Sequence, residues 1–206
     1  MHVWRFIGVL LLLMAPLTAA HATMVAPASL ADLTTEAGVI FIGTCQVRET
    51  SLKPTPIGGV IPVSHYTFEV QEVLKGEIAD GSDFQFDQVG GPIPVGTSTA
   101  DLLRPLSSTV YDVGQTYLLF LKPLSTGWWT PVGLMQGRFT VTVQPDGSKT
   151  VTNGINNQLL FQGMHNAASP AVAVSKAAQR VVEQGAGPDL SYDVLKELVK
   201  GLQPTP

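Results

Sequence analysis

The feature that most constrains the fold of this chain is a series of short segments in which apolar and polar residues alternate. Alternation with a period of two is typical of β-strands that bury one face. Glycine or proline ends most of these segments, as expected where turns and loops join strands. The predicted strands are Val39–Val47, Ser64–Leu74, Ser82–Val89, Tyr117–Leu121, Trp128–Val132, Arg138–Gln144 and Lys149–Thr152. A chain with this many short strands is expected to be mainly β.

One of the predicted strands changes phase along its length. Tyr66, Phe68 and Val70 alternate with polar residues, but the next apolar pair is Val73 and Leu74. Such a change of phase indicates a β-bulge, which allows a sheet to curl. We therefore expect an antiparallel, partly open β-barrel of about five or six strands.

Two long stretches rich in proline and glycine interrupt the strands. We predict that Lys53–Pro62 and Pro92–Pro105 are loops without regular structure, because proline lacks a backbone donor and glycine favours turns. Loops on a rigid scaffold often carry binding residues. Both stretches are therefore candidates for a recognition surface.

Helical patterns flank the predicted strands on both sides. Ala28–Ala37 has Ser29 as a candidate N-cap, which predicts a short N-terminal helix. Ser169–Gln184 is rich in alanine, and Asp189–Leu202 has an apolar stripe at helical spacing. The residues of this stripe are Leu190, Val194, Leu198 and Leu202. We expect one or two C-terminal helices to pack on the barrel through it.

The first 22 residues have the three regions of a secretory signal peptide. Arg5 precedes an apolar core, and small residues surround an expected cleavage site after Ala22. The apolar core is short for a membrane-spanning helix, although an uncleaved anchor is the alternative. The predicted organisation is a signal peptide at 1–22, a β-barrel domain at 23–165 and a helical segment at 166–206 packed on the barrel. We expect a periplasmic or extracellular protein that is not attached to the membrane after cleavage.

Composition disfavours several classes of function. The formal net charge is −4 and no basic run is present, so nucleic acid is not an expected partner. Cys45 is the only cysteine, which excludes an intrachain disulfide. His65 and His165 follow the signal peptide, but neither has the spacing of a metal-ligand motif. We therefore expect no metal and no cofactor.

Two kinds of catalytic site remain open on sequence grounds. Cys45 could act as a nucleophile with His65 or His165, although its apolar phase favours burial as a small hydrophobic side chain. A carboxylate pair could also form among the acidic residues of the predicted strands, which normally belong to a solvated face. These residues are Glu69, Glu72, Asp83 and Asp87. No nucleophile elbow or phosphate-binding loop is present.

The candidate binding residues are aromatic: Trp128, Trp129 and Tyr66. Adjacent strand residues point to opposite faces, so Trp128 and Trp129 cannot both enter one core. An exposed tryptophan often anchors a partner or a sugar ring. A shielded position for the second tryptophan, under a C-terminal helix, is the alternative.

Three motifs of the chain are Val70–Gly76, Gly114–Leu121 and Gly133–Phe139. Together they resemble those of a group of uncharacterised exported bacterial proteins. More distantly, they resemble the OB-like barrel of tissue inhibitors of metalloproteinases and netrin-type modules. The resemblance implies an OB-like barrel, a fold that serves many binding functions. Those inhibitors chelate zinc through an N-terminal cysteine, whereas the expected mature chain begins at Thr23, so this mechanism does not carry over.

The sequence therefore favours an exported, non-catalytic binding or inhibitor-like module. Its partner is not identified, and a protein outside the cytoplasm is the expected class. The alternative is a secreted hydrolase that uses Cys45 or a carboxylate pair. The sequence does not indicate an oligomeric state.

Overall fold

The computed structural model of the chain describes residues 26–93, 95–96, 109–164 and 175–203. The expected signal peptide at 1–22 lies outside these residues, as do His165 and the expected domain boundary at 165/166. Most of the predicted loop Pro92–Pro105 and the first residues of the predicted helix Ser169–Gln184 also lie outside them.

The described residues form one antiparallel sheet and three α-helices. The helices are α1 (Leu30–Glu36), α2 (Lys176–Gln184) and α3 (Tyr192–Gly201), and a 3-10 turn spans Leu134–Gln136. The strands are β1 (Val39–Pro54), β2 (Val60–Lys75), β3 (Asp83–Val89), β4 (Thr116–Pro123), β5 (Trp129–Pro131), β6 (Arg138–Val143), β7 (Lys149–Asn153) and β8 (Leu190–Ser191). The strand order is β3-β2-β1-β4-β6-β7-β8, and β5 pairs with β4. The prediction of a mainly β, antiparallel and open architecture with terminal helices is confirmed.

The predicted change of phase after Val70 is a pair of β-bulges. In the pairing of β1 with β2, Gln71 and Leu74 have no partner residue on β1. A third irregularity leaves Gln46 of β1 without a partner on β2. Each extra residue bends the ribbon and increases its twist. The longest hairpin of the sheet is therefore strongly curved, as the sequence predicted.

The prediction of a long loop at Lys53–Pro62 is wrong. β1 extends to Pro54 and β2 begins at Val60, so only residues 55–59 form the turn. The carbonyl of Pro62 accepts a hydrogen bond from the Gly90 N–H (2.8 Å), so the backbone groups of Pro62 face away from β1. Alternate residues of a strand face opposite sides, which places Pro54 with its missing N–H on the free edge of β1. Both prolines thus occupy positions where a strand tolerates them.

One face of the sheet is covered by helices, and we call its buried cluster the helical core. Side chains from α1, α3 and the segment Leu160–Met164 meet the strands there. Leu195 and Val199 of α3 are fully buried in this cluster. The predicted helix Asp189–Leu202 begins later than expected, at Tyr192, because Leu190 pairs with Val151 as part of β8.

The opposite face encloses a second cluster, which we call the aromatic core. Its rings come from β1, β2, β3, β4 and the segment before β4, so the curved sheet wraps around its own side chains. Phe68 contacts five other rings, with centroids 5.3 to 6.4 Å apart and mostly edge-to-face. Edge-to-face packing of this kind stabilises a core beyond its buried area. Among the described residues, the aromatic core is enclosed by the curved sheet and not by a helix.

The end of the Val70–Gly76 motif connects β2 to α1. Lys75 Nζ donates to the carbonyls of Thr34 (2.6 Å) and Thr35 (3.2 Å), which belong to the last turn of the helix. A cation at this position satisfies free carbonyls and complements the helix dipole. Gly76 has a φ of +99°, and a side chain there would meet Val39. This part of the motif therefore has a structural role.

Candidate functional site

The sheet remains open where β3 faces β5, and we call this gap the seam. β3 is one end of the strand order, and β5 pairs only with β4. β3 is antiparallel to β2, and β5 is antiparallel to β4. Because β2 and β4 are both antiparallel to β1, β3 and β5 run parallel to each other. Their Cα atoms approach within 8 Å, although no strand pairing joins them. An additional strand would need about twice the 4.8 Å spacing of a sheet, so the seam is too narrow to receive one.

Trp129 occupies the seam from the β5 side. Its ring lies 5.5 Å from the ring of Phe84 on β3, at an interplanar angle of 81°. The side chain is half-buried against the aromatic core. Trp128 precedes it in the chain and is also half-buried. Phe84 of β3 therefore covers part of the Trp129 ring.

A small cavity of about 80 Å³ lies at the seam. It is lined by Gln88, Val89, Thr109, Leu124, Trp129, Thr130 and Leu134. Leu124 is 38% exposed and lies in the turn between β4 and β5. Pockets that bind small molecules usually measure about 300 to 1,000 Å³. A space this small can receive one side chain of a partner but not a whole substrate.

Gln88 fixes the inner wall of this cavity. Its Nε2 donates to the Thr109 carbonyl (2.6 Å), and its Oε1 accepts from the Tyr111 hydroxyl (3.1 Å). The side chain is buried, so these bonds hold a polar group that would otherwise be costly to bury. Sequence analysis missed Gln88, because its role depends on contacts with residues more than 20 positions away.

Tyr66 lies apart from the two tryptophans. Its side chain is fully buried in the aromatic core, with the Tyr111 ring at 4.8 Å and the Phe86 ring at 5.5 Å. Its hydroxyl has no hydrogen-bond partner within the described ranges. In this conformation Tyr66 offers no surface to a ligand, and the structure does not bring it together with Trp128.

The structure does not bring Cys45 and His65 together. Cys45 is fully buried in the aromatic core, and its Sγ lies 3.6 Å from the Val47 carbonyl. Burial raises the pKa of its thiol, and Asp112 adds to this effect while Arg48 opposes it. His65 lies on the outer face of the sheet, where its Nδ1 is 2.7 Å from Asp87 Oδ1. His165 lies outside the described residues.

The candidate carboxylates occupy two separate environments. Glu69 and Asp83 are directly opposite each other on β2 and β3, and both are exposed. Glu72 instead accepts hydrogen bonds from the Tyr192 hydroxyl (2.9 Å) and from Lys196 Nζ (3.3 Å). Burial would raise the pKa of Glu72, but Tyr192, Lys196 and Lys200 outweigh it and lower the value. Glu72 therefore joins α3 to the sheet.

Further searches add few constraints. Within the described ranges, no group of three or more histidine, cysteine or acidic residues has the geometry of a metal site. No helix in the same part of the chain is both long and apolar enough to span a bilayer. No protein-family model matches the chain, and no similar sequence is found among curated proteins.

Proposed function

We propose that this protein is an exported, non-catalytic binding module that holds a protein partner at the seam between β3 and β5. The observation that carries the proposal is the cavity of about 80 Å³ lined by Leu124, Trp129 and Gln88. Export rests on the signal-peptide pattern of residues 1–22.

An OB-like barrel is part of this proposal. β1 pairs with both β2 and β4, β3 follows β2, and β5 follows β4. The approach of β3 to β5 completes a ring of five strands that is not fully closed, as in the partly open OB barrel. The bulges at Gln71 and Leu74 supply the required curvature. β6 to β8 and the C-terminal helices would be additions to this barrel.

The size and chemistry of the seam favour a protein as the partner. The cavity can receive one apolar side chain, and the half-buried Trp129 lines it. A tryptophan beside a small pocket is typical of the residues that dominate the energy of protein interfaces. The net charge of −4 disfavours polyanionic ligands.

The hydrolase alternative has less support from the described residues. A cysteine nucleophile must be a thiolate, whereas burial raises the pKa of the Cys45 thiol. The opposed carboxylates Glu69 and Asp83 are exposed. The alternative therefore rests on the sequence pattern alone.

Peptide display on the immobilised mature protein tests the proposed function. We expect enriched peptides that share one apolar residue, and we expect Leu124→Asp to abolish their binding. Val143→Asp is the control, because Val143 is exposed, receives the same charged side chain and lies away from the seam. Selected peptides that bind both variants equally well would contradict the assignment of the seam.

A further inference from the structure

Within the described part of the chain, the end of β1 has a free strand edge. We call residues 49–62 the finger, because β1 pairs there only with β2 among the described strands. The backbone carbonyl of Pro62 points toward β3. Because the backbone groups alternate along a strand, those of His65, three residues further on, point toward β1, where His65 pairs with Glu49. Alternation along the strand then directs the backbone groups of Arg48, Thr50, Leu52 and Pro54 away from β2. No described residue hydrogen-bonds to these outward-facing backbone groups.

The charges on the finger match a second finger placed antiparallel to it. Glu49, Ser51 and Lys53 alternate with the outward-facing residues and share one face of the ribbon. If Ser51 lies opposite Ser51 of a second copy, Glu49 lies opposite Lys53 of that copy, and the reverse also holds. Thr50 and Leu52 then exchange backbone hydrogen bonds across the twofold axis. Opposite charges directly across an antiparallel pair stabilise that register.

The same register brings exposed apolar residues together. Pro54 of one copy would lie opposite Arg48 of the other. The tip of the finger, residues 55–59, then lies beside the residues that precede Arg48 in the other copy. Ile57 at the tip is 88% exposed, and Val47 at the base is 37% exposed. Val113, 58% exposed, is next to Gly114, whose N–H donates to the Cys45 carbonyl (2.8 Å). The tip of each copy therefore meets apolar surface at the base of the other.

We propose that two copies of this chain associate through antiparallel pairing of their β1 edges, centred on Ser51. The contact joins the two sheets into one. A ribbon of this length buries less than the roughly 1,000 Å² of a stable interface, so the dimer is weak and depends on concentration. The symmetry is isologous, because each copy contributes the same residues.

A charge swap tests the register. Sedimentation equilibrium of the mature protein from micromolar to millimolar concentration should reveal a monomer–dimer equilibrium. Glu49→Lys and Lys53→Glu each place two like-charge pairs at the interface and should weaken the dimer roughly tenfold or more. The double variant restores opposite charges and should recover the affinity of the unchanged protein. Glu77→Lys, at an exposed residue outside the finger, is the control.

A disulfide trap provides the second measurement. Ser51 and its counterpart form a non-hydrogen-bonded pair in this register, and the Cα separation of such a pair is within the range of a disulfide. Ser51→Cys should therefore give a covalent dimer on mild oxidation, whereas Gln85→Cys on β3 should not. A protein that remains monomeric at millimolar concentration would overturn the proposal, and Glu49 and Lys53 would then protect the edge from pairing. A dimer that is insensitive to the charge changes would also overturn it.

Discussion

The two faces of this sheet are closed by different means. The helical core is covered by separate elements, α1 and α3, which contribute aliphatic side chains. The aromatic core has no covering helix in the described structure and is enclosed by the curvature of β1, β2 and β3. A helix can cover the core on one face of a flat sheet. A curved sheet encloses its own core only if its edges approach each other. The seam is the place where those edges approach but do not pair.

Gly43 illustrates what the curvature requires. A side chain at this position would place its Cβ 2.8 Å from the Glu69 carbonyl and 3.1 Å from the Phe41 ring. Gly43 pairs with Val70 directly beside the bulge at Gln71. The close approach of two backbones is therefore built into the sharpest bend of the hairpin, and glycine is the residue that permits it.

The largest expected effect is in the aromatic core. Phe68→Ala should destabilise the protein by about 4 kcal/mol, because it removes a ring that contacts five other rings and leaves a cavity that a curved sheet cannot collapse. Urea unfolding of the mature protein measures this loss. Val143→Ala, at an exposed position on β6, should change the free energy of unfolding by less than about 0.5 kcal/mol. A loss for Phe68→Ala below that of a helical-core substitution would refute the comparison.

The helical core should respond to Leu198→Ala with a loss of about 3 kcal/mol and a lower Tm. Leu198 is buried on α3, within a cluster that includes residues of the sheet and α1. Thermal unfolding followed by circular dichroism measures the change. Leu159→Ala is the control, since this leucine is exposed and its truncation should cost little. An unchanged Tm for Leu198→Ala would mean that α3 does not stabilise the sheet.

These differences explain which parts of the fold could be predicted from the sequence. The alternation around Phe68 is a local pattern, and it identified buried residues correctly. The predicted helical stripe was right in part: Leu198 is buried on α3, whereas Val194 and Leu202 are only half-buried. Residues 53–62 of the finger were predicted as a loop because proline content is a local signal. Whether a strand tolerates a proline depends instead on which of its edges faces a partner strand. The helix α3 begins at Tyr192 and not at Asp189 as predicted. The difference arises because Leu190 pairs with Val151, a long-range contact that a local pattern does not show.

The candidate site was less accessible to prediction. The sequence indicated that Trp128 and Trp129 face opposite sides, which follows from strand geometry alone. It did not indicate that Trp129 meets Phe84 or that Gln88 lines a cavity, because both facts depend on the approach of β3 to β5. The seam is a property of the closure of the sheet, and no local pattern encodes closure.

A smaller effect is expected where α3 joins the sheet. The pKa of Glu72 is lowered in the folded protein, so its contribution is present at pH 7 and is lost as the pH falls below its ordinary value of 4.5. Glu72→Gln should cost about 1 kcal/mol at pH 7, because the Lys196 and Lys200 contacts lose their charge partner. Thermal unfolding between pH 3 and pH 8 should show the two proteins converging at low pH. Glu77→Gln is the control, and a difference that is constant with pH would contradict the role of charge.

The smallest effect is expected at Tyr66. The Tyr66→Phe variant tests whether this residue belongs to the aromatic core alone or also to the binding surface at the seam. The Tyr66 hydroxyl is buried and makes no well-oriented hydrogen bond among the described residues, although burial raises its pKa less because the Ser64 side chain and the Tyr111 backbone lie close to it. Removing this hydroxyl therefore removes a poorly satisfied polar group. Tyr66→Phe should therefore leave the free energy of unfolding unchanged or raise it by up to about 1 kcal/mol. Urea unfolding measures this change, and Tyr111→Phe is the matched control, because the Tyr111 hydroxyl donates to Gln88 and its loss should be destabilising.

Peptides selected on the mature protein should bind Tyr66→Phe as well as they bind the unchanged protein, since the ring stays in the core. Weaker binding with unchanged stability would instead assign Tyr66 to the binding surface and would extend the site from the seam into the aromatic core.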